Sequence, residues 1–96
     1  MTPAETPGIR WDPRKGRTNL RKHGVSFIEA ATVFTDYLLL TKIDPDHSIH
    51  ENRFMSLGLS SLNKLILVAH TDDGDEIRII SARLPTRNER HAYDET

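Results

Sequence analysis

Two apolar runs near the C-terminus, LILVAHT at 65–71 and IRIISAR at 77–83, are separated by the acidic pentapeptide DDGDE. Both are rich in β-branched residues and have strand length, and an Asp-Gly pair between two such runs is a strong hairpin signal. A chain built this way must contain an antiparallel pair. The near-continuous apolar character of LILVAHT suits a central strand with both faces covered. The segment NRFMSLGLS at 52–60 supplies a neighbour: Met55, Leu57 and Leu59 alternate with Phe54, Ser56 and Gly58, as in a strand with one buried face. A turn through 61–64 joins it to LILVAHT. YLLLTKI at 37–43 reads as a further strand, followed by a polar loop, DPDHSIHE, and Gly8 to Trp11 as a short opening one.

Two helices are expected between the opening strand and the meander. Asp12-Pro13 is a strong start, with Asp as cap and Pro at the first helical position, where its missing N–H costs nothing. RKGRTNLRKH follows and ends at Gly24, suited to a left-handed C-cap. Leu20 is the only large apolar residue of that helix. His23 is expected to cap its last carbonyls. Ser26 and Glu29 have the spacing of a capping box, and Phe27, Ala30, Ala31 and Phe34 form an apolar stripe at helical period. Thr86 and Glu89 repeat the box before a short C-terminal helix. The fold class that follows is α+β: an antiparallel sheet of four to five strands, two N-terminal helices on one face and a short C-terminal helix. Short connections gather the helices on one side and leave the other sheet face free for binding. Residues 1–8, with prolines at 3 and 7, read as a flexible tail, and 9–96 as a single domain.

The 96-residue chain has no cysteine. Small secreted domains lean on disulfides, so a reducing cytoplasm is expected, and thiolate zinc sites and thiol nucleophiles are excluded. No apolar run approaches the roughly 20 residues of a membrane span, and the N-terminus lacks the pattern of a signal peptide. Net charge is −1, from 13 basic and 14 acidic residues, but the distribution is uneven. Arg10, Arg14, Lys15, Arg17, Arg21 and Lys22 crowd one end, Arg78, Arg83, Arg87 and Arg90 the other, and acids dominate the middle. Such a chain can present a phosphate-binding face despite a neutral sum.

Candidate chemistry lies in two places. Glu51 and Arg53 are two apart on an extended segment and so share one side of the sheet, with His47 and His50 just upstream. Arg83 ends a buried strand, where a guanidinium has little structural use unless it pairs with a carboxylate or meets a ligand such as phosphate. Strict alternation along IRIISAR puts Arg78 on the opposite pleat from Arg83, so Arg83 is preferred. His70, inside an apolar strand, reads as a buried hydrogen-bonding residue. Metal patterns are weak: His47 and His50 lack helical spacing with a Glu, and the nearby acids lack the glycine and spacing of a calcium loop.

Taken together, WDPRKGRTNLRKHGVSFIEAATVFTD, DPDHSIHENRFMSLGLS and LILVAHTDDGDEIRIISARLPTRNERHAY closely resemble the BrnT toxins of type II toxin–antitoxin systems. The resemblance runs from about Arg10 to Tyr93. Gly16 stands where the family usually has Ala, and the residues before Ile9 look like an extension. The resemblance implies a RelE-like fold and a metal-independent, cofactor-free endoribonuclease that slows translation. It also implies neutralisation by a BrnA-type ribbon-helix-helix antitoxin, in a hetero-oligomer that binds operator DNA. In such an enzyme the RNA's own 2′-hydroxyl attacks the adjacent phosphorus, so the protein must move protons and stabilise charge. Glu51 or His47 would be the base, with Arg53 and Arg83 on the phosphate oxygens. Arg14, Lys15, Arg21, Lys22, Arg87, Arg90 and Tyr93 would contact the RNA. The alternative is a non-catalytic module that binds nucleic acid or antitoxin.

Overall fold

The computed structural model describes residues 8–46 and 52–95. Strand β1 (Ile9–Trp11) leads into helix α1 (Pro13–His23) and helix α2 (Phe27–Ala31), which continues as a 3₁₀ turn over Thr32–Thr35. Strands β2 (Leu40–Ile43), β3 (Arg53–Leu59), β4 (Leu65–Asp72) and β5 (Ile77–Arg83) follow, then helix α3 (Arg87–Asp94). The meander β2 to β5 is antiparallel throughout, as its short connections require. The sheet as a whole is mixed, which corrects the expected antiparallel arrangement. Its order is β1-β5-β4-β3-β2, and β1 lies parallel to β5 through Ile9–Ile77, Arg10–Arg78 and Trp11–Ile79. A parallel neighbour needs a crossover, and everything from α1 to β4 supplies it.

Caps set the helix ends. Asp12 Oδ1 accepts from Arg14 N at 2.8 Å, and Gly24, at φ 70°, closes α1 with its N–H on the Leu20 carbonyl. Ser26 caps α2 by accepting from Glu29 N, but the reciprocal half of the expected box is replaced. The Glu29 carboxylate accepts the Ser60 hydroxyl at 2.7 Å instead and ties α2 to the β3–β4 turn. The complete box is made at α3, between Thr86 and Glu89. Tyr37 and Leu38, expected in a strand, form a turn because Asp36 Oδ1 accepts from Leu38 N, leaving Tyr37 fully exposed.

Two apolar clusters cover the two faces of the sheet. Val25, Phe27, Ala30, Ala31 and Val33 pack against Ile66, Val68, Ile79 and Ala82 on the first face, with Trp11 edge-on to Phe27. Gly58 allows the 3₁₀ turn to approach, since a Cβ there would stand 3.1 Å from both Cβ and the carbonyl oxygen of Val33. On the second face Leu57, Leu65 and Leu67 form a smaller cluster, against which Tyr93 of α3 packs. That face was expected to be free of helix. In part it is not, because three leucines there form an apolar patch that α3 shields from water.

Candidate functional site: an arginine-bearing sheet face

Side-chain direction along β5 is set by a bulge. Ala69 pairs with Ser81 but His70 pairs with Ile79, so Ile80 is an extra residue on β5. Beyond an extra residue, alternation resumes with the opposite parity. Ile79 and Ala82 are accordingly both buried in the first-face cluster, although they are three positions apart, an odd step. Arg78 and Arg83, each next to one of them, therefore both point to the second face. The expectation that they lie on opposite pleats is thus incorrect, and the bulge is the reason. A sequence signal existed: Ile77, Ile79 and Ala82 fit no single period of two.

The register then places Arg53 beside Thr71, and Thr71 beside Arg78, which has Arg10 of β1 as its outer neighbour. Arg53 and Arg78 flank one strand, at a backbone separation of about 10 Å, or two strand spacings. Arginine side chains are long enough for two at that separation to reach one anion. Arg10 is held by Glu76 at 2.7 Å, on a strongly exposed rim. Arg53 is half-buried and Arg78 exposed.

Arg83 lies elsewhere on this face. It pairs with Leu67, four residues along β4 from Thr71, roughly 13 Å away. Its guanidinium forms a fork on Glu89 of α3, Nη1 to Oε1 at 2.9 Å and Nη2 to Oε2 at 3.0 Å, and Nη1 also donates to the Leu84 carbonyl. Glu89 Oε1 accepts from Thr86 N as well. The Arg83 hydrogen bonds, outweighing burial, which acts the other way, hold the Glu89 carboxyl down at about 2, and Glu89 in turn raises Arg83. A bidentate pair of this kind fixes a helix on a strand end.

Tyr93, expected to touch RNA, packs in the second-face cluster and donates its hydroxyl to Asp36 Oδ2. Burial, then the Asp36 carboxylate, push its hydroxyl up to about 12. Asp36 also accepts from Leu59 N at 2.8 Å, so one carboxylate joins the 3₁₀ turn, β3 and α3. The Tyr93 hydrogen bond is the largest reason its own carboxyl is lowered. Arg87 and Arg90 are exposed on α3, and Arg90 borders a cleft with Tyr93, His23 and Lys64.

Four of the basic residues of α1 share a face, from which Arg17 is turned away. At about 100° per residue, Arg14, Lys15, Arg21 and Lys22 fall within an arc of roughly 120°. Arg14, Lys15 and Lys22 line a cleft between α1 and β5. Asn19, the one buried residue of α1, is a member that sequence reasoning missed. Its amide bonds the Ala82 N–H and carbonyl and the Val25 carbonyl, at 2.8–3.1 Å.

His70 is buried on the first face, as expected. Its Nε2 meets the Ser56 hydroxyl at 2.7 Å, Ser56 meets Thr41, and Phe34 and Phe54 enclose the ring. Burial lowers its pKa. Glu51, His47 and His50 lie outside the described residues. Among the described residues no three His, Asp or Glu side chains group as a metal site, and no helix is long and apolar enough to cross a membrane.

An α+β domain with arginines aligned across one sheet face and a basic helix beside it offers a local surface for a polyanion. The comparisons with known proteins give that surface its context. A profile described as ribonuclease toxin, BrnT, of type II toxin–antitoxin system matches residues 11–89, and the chain belongs to this family. At the level of the family this means a ribonuclease, with RNA as substrate and an antitoxin as partner. The crystal structure of the Brucella abortus ribonuclease toxin BrnT is similar, with a TM-score of 0.59 and 26% identity. The match covers 83% of this chain and 97% of that one. No curated protein matches the chain.

Proposed function

We propose that the protein is a metal-independent, cytoplasmic endoribonuclease that inhibits translation and holds the scissile phosphate between Arg53 and Arg78 on the second sheet face. The observation that carries this reading is the register of the bulged β5, which sets these two arginines on either side of Thr71. The attacking group is the substrate's own 2′-hydroxyl. Two fixed guanidinium charges stabilise the dianionic phosphorane that forms, and they require no proton transfer of their own. Thr71 offers a hydroxyl between them. Glu51 or His47, close in sequence to Arg53, takes the 2′-hydroxyl proton. The phosphorane then closes to the 2′,3′-cyclic phosphate as the P–O5′ bond breaks, and the departing 5′-oxygen takes a proton from that acid or from water. Arg14, Lys15, Arg21 and Lys22 grip the backbone, and Arg87 and Arg90 add charge at the other rim. Arg83 and Tyr93 act by holding α3 in place.

The partner in this reading is a BrnA-type ribbon-helix-helix antitoxin, and the toxin–antitoxin complex binds operator DNA. The test is incubation of the purified protein with RNA in EDTA, with analysis of the new ends. Fragments ending in 2′,3′-cyclic phosphate are expected, and both Arg53→Ala and Arg78→Ala should lower kcat at least about 100-fold, the usual cost of removing a charge-stabilising donor. Binding without cleavage would leave the protein a non-catalytic module. Full activity of Arg78→Ala would remove that residue from the site.

A further inference from the structure

If the basic face of α1 grips the RNA backbone, it needs a place where a phosphate can sit. Strand β1 covers only the first part of β5 and ends at the Trp11–Ile79 pair. Further along, no strand pairs with that edge among the described residues. Instead Asn19 of α1 bonds both the N–H and the carbonyl of Ala82, as a neighbouring strand would. Between these two closures helix and strand stand apart, and a cleft of about 390 Å³ opens over Ile80 and Ser81.

Arg14, Lys15, Thr18 and Lys22 form the helix wall of this cleft. Asp12 is the one acid on its rim, and its carboxylate already accepts the Arg14 backbone N–H, the main reason its pKa is lowered. Three cations therefore face an opening with a single acid. That acid caps α1 and pairs with the Arg14 guanidinium at 3.8 Å, so the excess positive charge rests on Lys15 and Lys22. Ser81 adds a second hydroxyl from the strand side. It pairs with Ala69, two residues along β4 from Thr71, so it stands roughly 7 Å along the sheet from the arginine row. One nucleotide of an extended strand spans that distance.

We propose that this cleft is a second phosphate subsite, taking a phosphodiester of the same RNA strand next to the one held by Arg53 and Arg78. The inference rests on the ribonuclease reading above. The chemistry of the two places differs in a way that suits the division. Lysine ammonium groups are mobile, strongly hydrated point charges that grip a backbone without fixing its geometry, whereas arginine forks orient what they hold. Contacts of the first kind position a strand and carry no base information. The substrate is thus a strand with phosphates on both sides of a nucleotide.

The experiment measures binding of a fluorescent 2′-O-methyl RNA oligonucleotide, which lacks the attacking hydroxyl, by anisotropy between about 50 and 200 mM salt. Wild type is compared with Lys15→Ala/Lys22→Ala. Both positions are exposed on a helix, where alanine favours the folded state, and a thermal melt by circular dichroism verifies this. Loss of one phosphate contact should lower the slope of log affinity against log salt by about 0.7. Affinity should fall several-fold and uniformly across RNA sequences. Equal slope and affinity in variant and wild type would overturn the subsite alone, if wild type still binds and cuts RNA. The same would follow if the variant lost affinity for duplex DNA but not for RNA. Wild type that neither binds nor cuts RNA would overturn the ribonuclease reading, and the subsite with it.

Discussion

At Asn19 a side-chain amide takes the place of a β-strand. It gives an acceptor to one backbone N–H and donors to two carbonyls, all in a buried setting. Leu20, the only large apolar residue of α1, is 50% exposed, so α1 is held less by apolar contact than by this amide. Removing it strands three backbone groups. Asn19→Ala should therefore destabilise the fold by about 2–4 kcal/mol, measured by urea denaturation. Asn19→Asp should cost at least as much at neutral pH, since a carboxylate then faces two carbonyls. A change below about 0.5 kcal/mol in either variant would mean that water replaces the amide. His70 makes the complementary case. Burial keeps it neutral in the fold, while the unfolded chain takes up a proton near the ordinary value of 6.5. Its contribution is intact above about 6.5 and weakens as pH falls below, down to the lowered folded value. Asn19 was illegible in the sequence, because one more polar residue in a basic helix reads as solvated. His70 was legible, because an imidazole within LILVAHT has few other roles.

Helix α3 is an element with no buried residue of its own, so its position depends on two polar clasps and the packing of Tyr93. The clasps titrate in opposite directions. Glu89 is held at about 2, below its ordinary 4.5, so the Arg83 clasp is fully present above about 4.5 and is lost as pH falls toward 2. Tyr93 is raised to about 12 from its ordinary 10, so the Asp36 clasp is fully present below about 10 and is lost as pH rises toward 12. Arg83→Gln should flatten the acid limb of the stability profile, and Tyr93→Phe the alkaline limb. Urea midpoints across pH give the measurement, and limbs that persist in both variants would assign them to other groups. The helix itself was legible from its capping box, Thr86 to Glu89. Its docking face was not, because the carboxylate of that box is shared with an arginine on another element. The bulge on β5 was half-legible for a similar reason. IRIISAR announces a strand, but an inserted residue appears only as a break in alternation, and that break transfers Arg78 to the face that bears Arg53.

At the scale of the molecule, the parallel pairing of β1 with β5 joins the first strand to the last. Residues 9–11 lie against 77–79, and α1 runs on from β1 along the remaining edge of the same strand. The two basic blocks at opposite ends of the sequence thereby become neighbours, which is how a chain of net charge −1 gathers cations on one surface. The same pairing makes the site depend on global folding, since α1 forms one wall of the cleft and β5 carries Arg78. Trp11, the single tryptophan, sits at the junction, edge-on to Phe27 at 6.3 Å and beside Ile79. Its fluorescence reports closure of β1 and α1 on the sheet, while far-ultraviolet circular dichroism reports the secondary structure of the whole. If residues 9–96 form a single cooperative domain, the two signals should give one urea midpoint and one slope. A tryptophan transition at lower urea would show that β1 and α1 leave the sheet first. The wall of lysines would then be a mobile arm that closes on RNA, rather than a cleft present before RNA arrives.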